Sequence, residues 1–268
     1  MPATVFVEFD AEAPVQATPR RLHAAWGRVL DLPEGVSAER AARLPHLAAR
    51  PPHELAGPKP YCLGQMTQGT GTFGVELRFL DDRLLDTLDA WLAWGGVLPL
   101  GDGGARTTLL LATQAQVLET ASWEELAAAD TATAWQIRLL TPTVFTSRGR
   151  HLDAVTPQSL ATSLSARWRA WARPTAPWLP DREALSAVLA TQDRTQPVTV
   201  SLGMPRNDGR GRLSANRIRA RQGDLRVSGI KGQEATRVFS QLMALARFTN
   251  VGSHTTYGMG VIDALPAD

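Results

Sequence analysis

The sequence Asn250-Val-Gly-Ser-His-Thr-Thr-Tyr-Gly-Met-Gly260 follows a predicted apolar helix over 234–248 and precedes a predicted closing strand over 261–265. It contains three glycines, Gly252, Gly258 and Gly260, and three serine or threonine residues, Ser253, Thr255 and Thr256. Glycine permits positive φ angles and close approach by a ligand backbone, and hydroxyl and amide donors bind anions. The segment therefore predicts a loop that cradles phosphates, with a helix C-cap and tight turn as the alternative.

The remainder of the chain repeats one order of elements twice. In the first half, apolar periodicity predicts strands at 5–9, 61–65, 74–79 and 107–113, and helices beginning at Thr18-Pro19, over 38–49 and over 81–92. In the second half it predicts strands at 135–139, 198–202, 216–221 and 225–228, and a helix with an apolar stripe of Leu160, Leu164, Trp168 and Trp171. Each half therefore has a β-α-β-β-α-β order with insertions. The stripe favours a core position for both tryptophans over base stacking.

Bulk composition excludes several classes of protein. The chain has 268 residues, enough for two domains of ordinary size, and no apolar run approaches the ~20 residues that a membrane span needs. Cys62 is the only cysteine, which excludes an intramolecular disulfide and a thiolate zinc site. Because the sequence begins directly with a strand-like segment, we expect neither a signal peptide nor a membrane anchor. The single cysteine favours a cytoplasmic location.

Positive charge is concentrated in one segment. The formal net charge of the chain is only +2, yet residues 201–231 carry an excess of six positive charges. The basic residues there are Arg206, Arg210, Arg212, Arg217, Arg219, Arg221, Arg226 and Lys231. A strand period of two places Arg217, Arg219 and Arg221 on one face, and the Asp-Gly turn upstream predicts a basic hairpin tip. We expect an RNA-binding face, with a solvated edge strand as the alternative.

Three segments carry a family resemblance. The C-terminal helix, glycine-rich loop and strand resemble the signature of the CRISPR-associated repeat-cleaving endoribonucleases of the RAMP superfamily, although Asn250 stands where many members have a first glycine. Leu140-Thr-Pro-Thr-Val-Phe145 resembles the start of their second domain, and His53-Glu-Leu-Ala-Gly-Pro-Lys-Pro-Tyr61 the segment with their usual catalytic histidine. The resemblance implies an α+β fold of two tandem ferredoxin-like (RRM-like) domains with antiparallel sheets. We place these domains at 1–128 and 129–268.

The chemistry that the residues favour needs no metal. His-Glu-x-x-His, paired cysteines and compact carboxylate clusters are missing from the sequence. RNA can be cleaved by attack of its own 2′-hydroxyl, provided that a base, an acid and a stabilising cation are present. His53 and Lys59 are the first candidates for this work, because the pair matches the histidine and lysine of some family members. His254 and His23 are the alternatives.

The sequence thus predicts a metal-independent endoribonuclease that cuts CRISPR precursor RNA within its repeats and leaves a 2′,3′-cyclic phosphate and a 5′-hydroxyl end. The expected partner is repeat RNA, both as precursor and as mature guide, held by the basic segment and by the glycine-rich loop, including His254. No cofactor, metal or membrane partner is expected. The alternative function is that of a non-catalytic RAMP-type subunit that holds guide RNA within a CRISPR effector complex with other subunits.

Overall fold

Strand β1 (Ala3–Asp10) is the middle strand of a five-stranded antiparallel sheet in the order β2-β3-β1-β5-β4. The computed structural model describes residues 1–55, 57–101, 107–147, 149–152, 154–203, 206–207, 213–214 and 217–267. The other elements of this half are α1 (Pro19–Leu30), α2 (Ala38–Ala41), α3 (Pro45–Ala48), β2 (Tyr61–Gln68), β3 (Thr72–Phe79), α4 (Arg83–Ala93), β4 (Val97–Leu100) and β5 (Thr108–Thr120). Its core includes Phe9, Trp26 and Leu77.

A second, four-stranded antiparallel sheet in the order β13-β6-β12-β9 forms the other half. Helix α5 (Trp123–Ala127) precedes it, and the elements that follow are β6 (Ala134–Thr143), β7 (Phe145–Ser147), β8 (Arg150–Leu152), α6 (Pro157–Trp171), α7 (Arg182–Val188), β9 (Leu189–Ser201), β10 (Arg206–Asn207), β11 (Leu213–Ser214), β12 (Arg217–Gly229), α8 (Glu234–Leu245), a 3-10 turn (Thr255–Tyr257) and β13 (Ile262–Pro266). Without the insertions, both sheets have ferredoxin-like connectivity. The predicted fold class is confirmed.

Several element predictions need correction. The single helix predicted over 38–49 is wrong: α2 and α3 are separate, because Pro45 has no N–H and forces the preceding Leu44 into an extended conformation, with φ −121° and ψ 112°. Strand β4 was missed. The strands predicted at 216–221 and 225–228 are one strand, β12, which pairs with β9 along its whole length.

The tryptophan prediction is confirmed. Trp168 is fully buried in the core of the second half, and its indole N–H donates to the Thr175 hydroxyl at 3.1 Å. Trp171 packs against the same core, and its indole N–H donates to the carbonyl of Pro58 in the first half at 3.2 Å. No helix within the described parts of the chain is long and apolar enough to cross a membrane.

The two halves meet at the end of α8. The last carbonyls of a helix have no partner within it, and the negative end of the helix dipole lies there. Here the Arg78 guanidinium donates to the carbonyls of Ala246 at 3.0 Å and Thr249 at 3.3 Å. The Thr4 hydroxyl donates to the backbone carbonyl of Arg247 at 3.1 Å. Strands of the first half therefore cap a helix of the second.

Asn250 continues this junction. Its buried side-chain amide donates to the carbonyl of Leu63 in β2 at 2.7 Å and to that of Met259 at 2.9 Å. One side chain thus ties the entrance of the glycine-rich loop to both its exit and the neighbouring sheet. This explains why an asparagine is useful where the sequence departs from the usual glycine.

We expect Asn250→Ala to lower the free energy of unfolding by about 2–3 kcal/mol, because the substitution leaves buried carbonyls without donors. Urea denaturation followed by circular dichroism measures the change, and an unaltered m-value would show that the unfolded state is not affected. The exposed amide of Gln136 offers a control, since Gln136→Ala should change stability by no more than about 0.5 kcal/mol. Equal effects of the two substitutions would contradict the role given to Asn250.

Candidate active site

A buried carboxylate, Asp31, gathers three side chains from a distant segment. Its Oδ2 lies 2.7 Å from His53 Nδ1 and 2.6 Å from Lys59 Nζ, and its Oδ1 accepts a hydrogen bond from the Tyr61 hydroxyl at 2.7 Å. Asp31 and Lys59 side chains are 3% and 10% exposed, whereas that of His53 is 62% exposed. Asp31 and Lys59 are therefore shielded from solvent, whereas the side chain of His53 is accessible to it. We call these four residues the Asp31 cluster.

Local structure fixes each member of the Asp31 cluster. Asp31 is the C-cap of α1, and its backbone N–H donates to the carbonyl of Gly27. A Cβ atom at Gly27 would lie 3.2 Å from Asp31 Oδ2 and 3.7 Å from His53 Cε1, so glycine leaves the room that this pair needs. The bond from Trp171 to Pro58 holds the segment between His53 and Tyr61 against α6.

The hydrogen bond to Asp31 determines what His53 can do. A carboxylate at Nδ1 holds the proton on that nitrogen and leaves Nε2 free for proton exchange with a substrate. Lys59 neutralises the same carboxylate. Burial, followed by the charge of Asp31 and the hydrogen bond to it, raises the pKa of Tyr61 far above its ordinary value, so its hydroxyl remains a donor to Asp31. The arrangement is that of a positioned acid–base group.

The glycine-rich loop reaches this cluster through a ring stack. Tyr257 stacks on His23 of α1 with ring centroids 4.0 Å apart and an interplanar angle of 17°. His23 in turn lies 5.7 Å from His53, and His254 lies 5.6 Å from Tyr257 on the other side, both measured between ring centroids. All four candidates for catalysis from the sequence, including Lys59, are therefore brought to one region.

The two alternative histidines are both shifted towards the neutral form. Burial, with the neighbouring Lys59 ammonium, lowers the pKa of His23 to about 4, although Asp31 opposes the shift. Burial also lowers the pKa of His254, and nearby His151 adds to the effect. His254 has a φ of 61°, a left-handed conformation that is uncommon for a non-glycine residue and is enriched at functional sites.

The glycines of the loop serve its own backbone first. Gly252, Gly258 and Gly260 have φ of 75°, 81° and 77°, as the sequence predicted. A Cβ atom at Gly252 would lie 2.2 Å from the carbonyl oxygen of Val144, and one at Gly260 would lie 1.9 Å from that of Val251. The close approach at these two positions is therefore made by the chain itself, where we had expected a ligand.

The hydroxyl residues of the loop have mixed surroundings. The backbone N–H of Ser253 donates to the carbonyl of Val144 at 2.8 Å, and its hydroxyl donates to the hydroxyl of Thr146 at 3.0 Å. Thr255 and Thr256 are half-buried at the 3-10 turn. Loop donors at Ser253 are thus already engaged within the protein.

The predicted basic residues divide into three groups. Arg217, Arg219 and Lys231 are exposed, while Ile218 and Ala220 between the arginines are buried, so the expected alternation is present. Arg221 points at its own sheet: it donates to Thr195 at 2.8 Å and lies 3.6 Å from the Asp193 carboxylate. Arg206 lies in β10, which pairs with β11 as a hairpin; its side chain, Arg210 and Arg212 fall outside the described part of the structure.

Sequence reasoning missed Asp31. It lies 22 residues before His53, and no motif spacing connects the two. The available signal was its position at the predicted end of α1, where the next residues are Leu32 and Pro33. Among the residues that the structure describes, no group of three or more histidine, cysteine or acidic side chains is arranged to hold a metal ion.

His23→Phe should make the protein less sensitive to acid. Because the pKa of His23 is lowered on folding, the unfolded chain binds its proton between pH 6.5 and about 4 and the folded protein does not, so stability falls across this window as pH drops. The phenylalanine ring can still stack on Tyr257. After allowance for partial exposure, we expect the free energy of unfolding lost between pH 7 and pH 4.5 to be about 1–2 kcal/mol smaller in the variant. Urea unfolding near pH 7 and near pH 4.5 measures it. His46→Phe, on an exposed surface, should follow the wild type; identical pH profiles for all three proteins would contradict the prediction.

Comparison with known proteins agrees with the resemblance seen in the sequence. Residues 137–262 match the family model of the CRISPR-associated endoribonuclease Cas6. No curated protein sequence matches the chain. Among solved structures, a Cas6 of Thermus thermophilus (TTHB231) in its product complex is 25% identical, with a TM-score of 0.70, and the match covers 99% of this chain and 100% of that one.

Two more distant structures agree in fold. A second Cas6 (TTHA0078) product complex is 19% identical with a TM-score of 0.67, covering 98% of this chain and 99% of that one. A RAMP protein that binds different RNA substrates is 10% identical with a TM-score of 0.51, covering 98% and 99%. The resemblance drawn from the sequence is confirmed as a similarity: residues 137–262 match the Cas6 family model, and the fold of the whole chain is similar to that of Cas6 endoribonucleases.

Proposed function

We propose that this protein cleaves CRISPR precursor RNA within each repeat, without a metal ion, by attack of the RNA's own 2′-hydroxyl. The observation that carries the proposal is the Asp31 cluster: an exposed histidine held at Nδ1 by a buried carboxylate, beside a second, neutral histidine. The relation to Cas6 endoribonucleases supports RNA cleavage as the activity.

His53 is the proposed proton-transfer residue. With Nδ1 bonded to Asp31, its Nε2 can give a proton to the departing 5′-oxygen or take one from the 2′-hydroxyl. His23, neutral at physiological pH, is suited to accept a proton as the complementary base. The reaction then yields a 2′,3′-cyclic phosphate on one fragment and a 5′-hydroxyl on the other.

Lys59 has a supporting part in this proposal. Its ammonium is largely buried and donates to Asp31, so contact with the scissile phosphate would require that bond to be given up. We therefore assign Lys59 to balancing the charge of Asp31 and adding positive charge beneath His53, in place of direct phosphate binding.

RNA binding is proposed for the exposed basic face and the glycine-rich loop. Arg217, Arg219 and Lys231 are exposed and can meet phosphates, and Arg206, Arg210 and Arg212 are proposed from the sequence to add to the RNA-binding face. Arg221, held by Asp193, is proposed to contribute charge without leaving its sheet. Gly252, Ser253, His254, Thr255, Thr256, Gly258 and Gly260 are proposed to present the RNA strand to His53. Repeat RNA is the proposed partner, and a cytoplasmic location fits the buried, reduced Cys62.

His53→Ala should reduce the single-turnover cleavage rate on the order of 10²–10⁴-fold, the usual contribution of a general acid or base, and leave repeat RNA affinity nearly unchanged. Asp31→Asn should slow cleavage too, because it removes the group that orients His53. His46→Ala, in an exposed histidine away from the cluster, should cleave at the wild-type rate. Wild-type rates for His53→Ala would move the role to His23 or His254, and a wild-type protein that binds repeat RNA without cutting it would identify the non-catalytic guide-binding alternative.

Replacing the ribose before the scissile phosphate by 2′-deoxyribose should abolish cutting and leave affinity largely intact, since the nucleophile is removed while the phosphates remain. Chelation with EDTA should leave the rate unchanged. Gel analysis of end-labelled repeat RNA measures both, and mass spectrometry of the fragments should show the cyclic phosphate. Cleavage of the deoxy substrate, or loss of activity in EDTA that added metal restores, would contradict internal attack.

A further inference from the structure

Arg167 is a buried cation in the middle of α6. The residue is 7% exposed. Its guanidinium donates to the carbonyl and hydroxyl of Ser163, at 3.2 and 2.8 Å, to the carbonyl of Gly252 at 2.9 Å, and to the hydroxyl of Thr255 at 3.4 Å. Arg167 therefore lies directly beneath the glycine-rich loop and contacts it at two points.

Every one of these partners is uncharged. Among the residues that the structure describes, no carboxylate lies within ion-pair distance of Arg167, and the other group next to it is the sulfur of Cys62. Removing a charge from water costs free energy, and hydrogen bonds to neutral groups recover only part of it. Burial accordingly lowers the pKa of Arg167.

Arg78 provides a contrast within the same protein. It is buried to a similar degree, and it likewise donates to backbone carbonyls of the C-terminal segment. Unlike Arg167, it forms an ion pair with Glu76. Arg78, which stabilises the fold, thus has a carboxylate as its counter-charge, and Arg167 has none among the described residues.

The space beside Arg167 is suited to an anion. A cavity of about 670 Å³ is bordered by Gly252, Ser253 and Ser163, all close to Arg167, and by Arg182 of α7. None of the described side chains that line it is acidic. The same loop stacks on His23 through Tyr257, so one loop borders both this cavity and the rings beside the Asp31 cluster.

We propose that Arg167 is the counter-charge for one RNA phosphate, which binds in the cavity at the outer side of the glycine-rich loop. The inference rests on the proposed function, and goes beyond it by assigning a phosphate subsite away from the reacting atoms. Arg167 acts through the loop: its bonds to Gly252 and Thr255 hold the loop, and its positive charge attracts a phosphate in the cavity beside it. It is a positioning residue.

Arg167→Met tests the charge. We expect the affinity for a CRISPR repeat RNA blocked by 2′-deoxyribose at the cleavage site to fall on the order of tenfold. The slope of log K against log salt should become shallower by roughly 0.7–0.9, since one phosphate is no longer neutralised. Arg167→Lys retains the charge and should keep the wild-type slope. The neutral variant Arg167→Gln, whose amide still donates hydrogen bonds, should show the same shallower slope as Arg167→Met. It replaces Arg167→Met if that variant does not fold.

Arg78→Met is the matched control. It removes an equally buried arginine and leaves Glu76 without a partner, so the free energy of unfolding should fall while the salt slope stays at the wild-type value. An unchanged slope in Arg167→Gln, with wild-type binding intact, would overturn the proposal and reduce Arg167 to support for the loop. A wild-type protein that fails to bind the repeat would instead contradict the proposed function.

A cycle with modified RNA locates the phosphate. Methylphosphonate linkages, which carry no charge, are placed one at a time along the repeat. At one position the substitution should weaken wild-type binding about as much as Arg167→Gln does, and the two changes together should cost little more than either alone. Additive losses at every position would show that Arg167 faces no phosphate, and would overturn the proposal.

Discussion

The carboxylate of Asp31 is the constraint around which the site is built. A charge that is almost completely buried must be matched by donors. Here two donors come from the irregular segment that follows two short helices, and the third, Tyr61, comes from the start of β2. Satisfying Asp31 therefore fixes the path of that segment, and with it the position of the one member that remains open to solvent, His53. Electrostatics thus orders a loop that has little secondary structure of its own.

The same logic joins the two halves of the chain. Helix α8 ends with carbonyls that its own backbone cannot satisfy, and Arg78 and Thr4 of the other sheet provide the donors. Asn250 then continues the contact into the loop. As a result, the glycine-rich loop is held against β2 and α1, and the ring of Tyr257 can meet that of His23. The geometry of the site depends on a junction made of backbone acceptors and long polar side chains.

Much of this arrangement could be predicted because it is local. Alternation at 135–139 and in Arg217–Arg221, the Thr18-Pro19 start of α1 and the positive φ of the loop glycines are properties of short stretches. Asp31 could not be found in this way, because its partners are 22 to 30 residues away in the sequence. They meet it only when the folded chain buries the carboxylate. The same holds for Arg221, whose alternation was right but whose guanidinium is bound by Asp193 across the sheet.

The stack between His23 and Tyr257 joins a residue near the start of the chain to one near its end. During synthesis, the first sheet and the Asp31 cluster can form long before the ribosome has made the glycine-rich loop. His23 acquires its aromatic neighbour only after the segment that carries Tyr257 has emerged. A chain that lacks this segment therefore holds an incomplete set of histidine contacts, so completion of the site is coupled to synthesis of the glycine-rich loop.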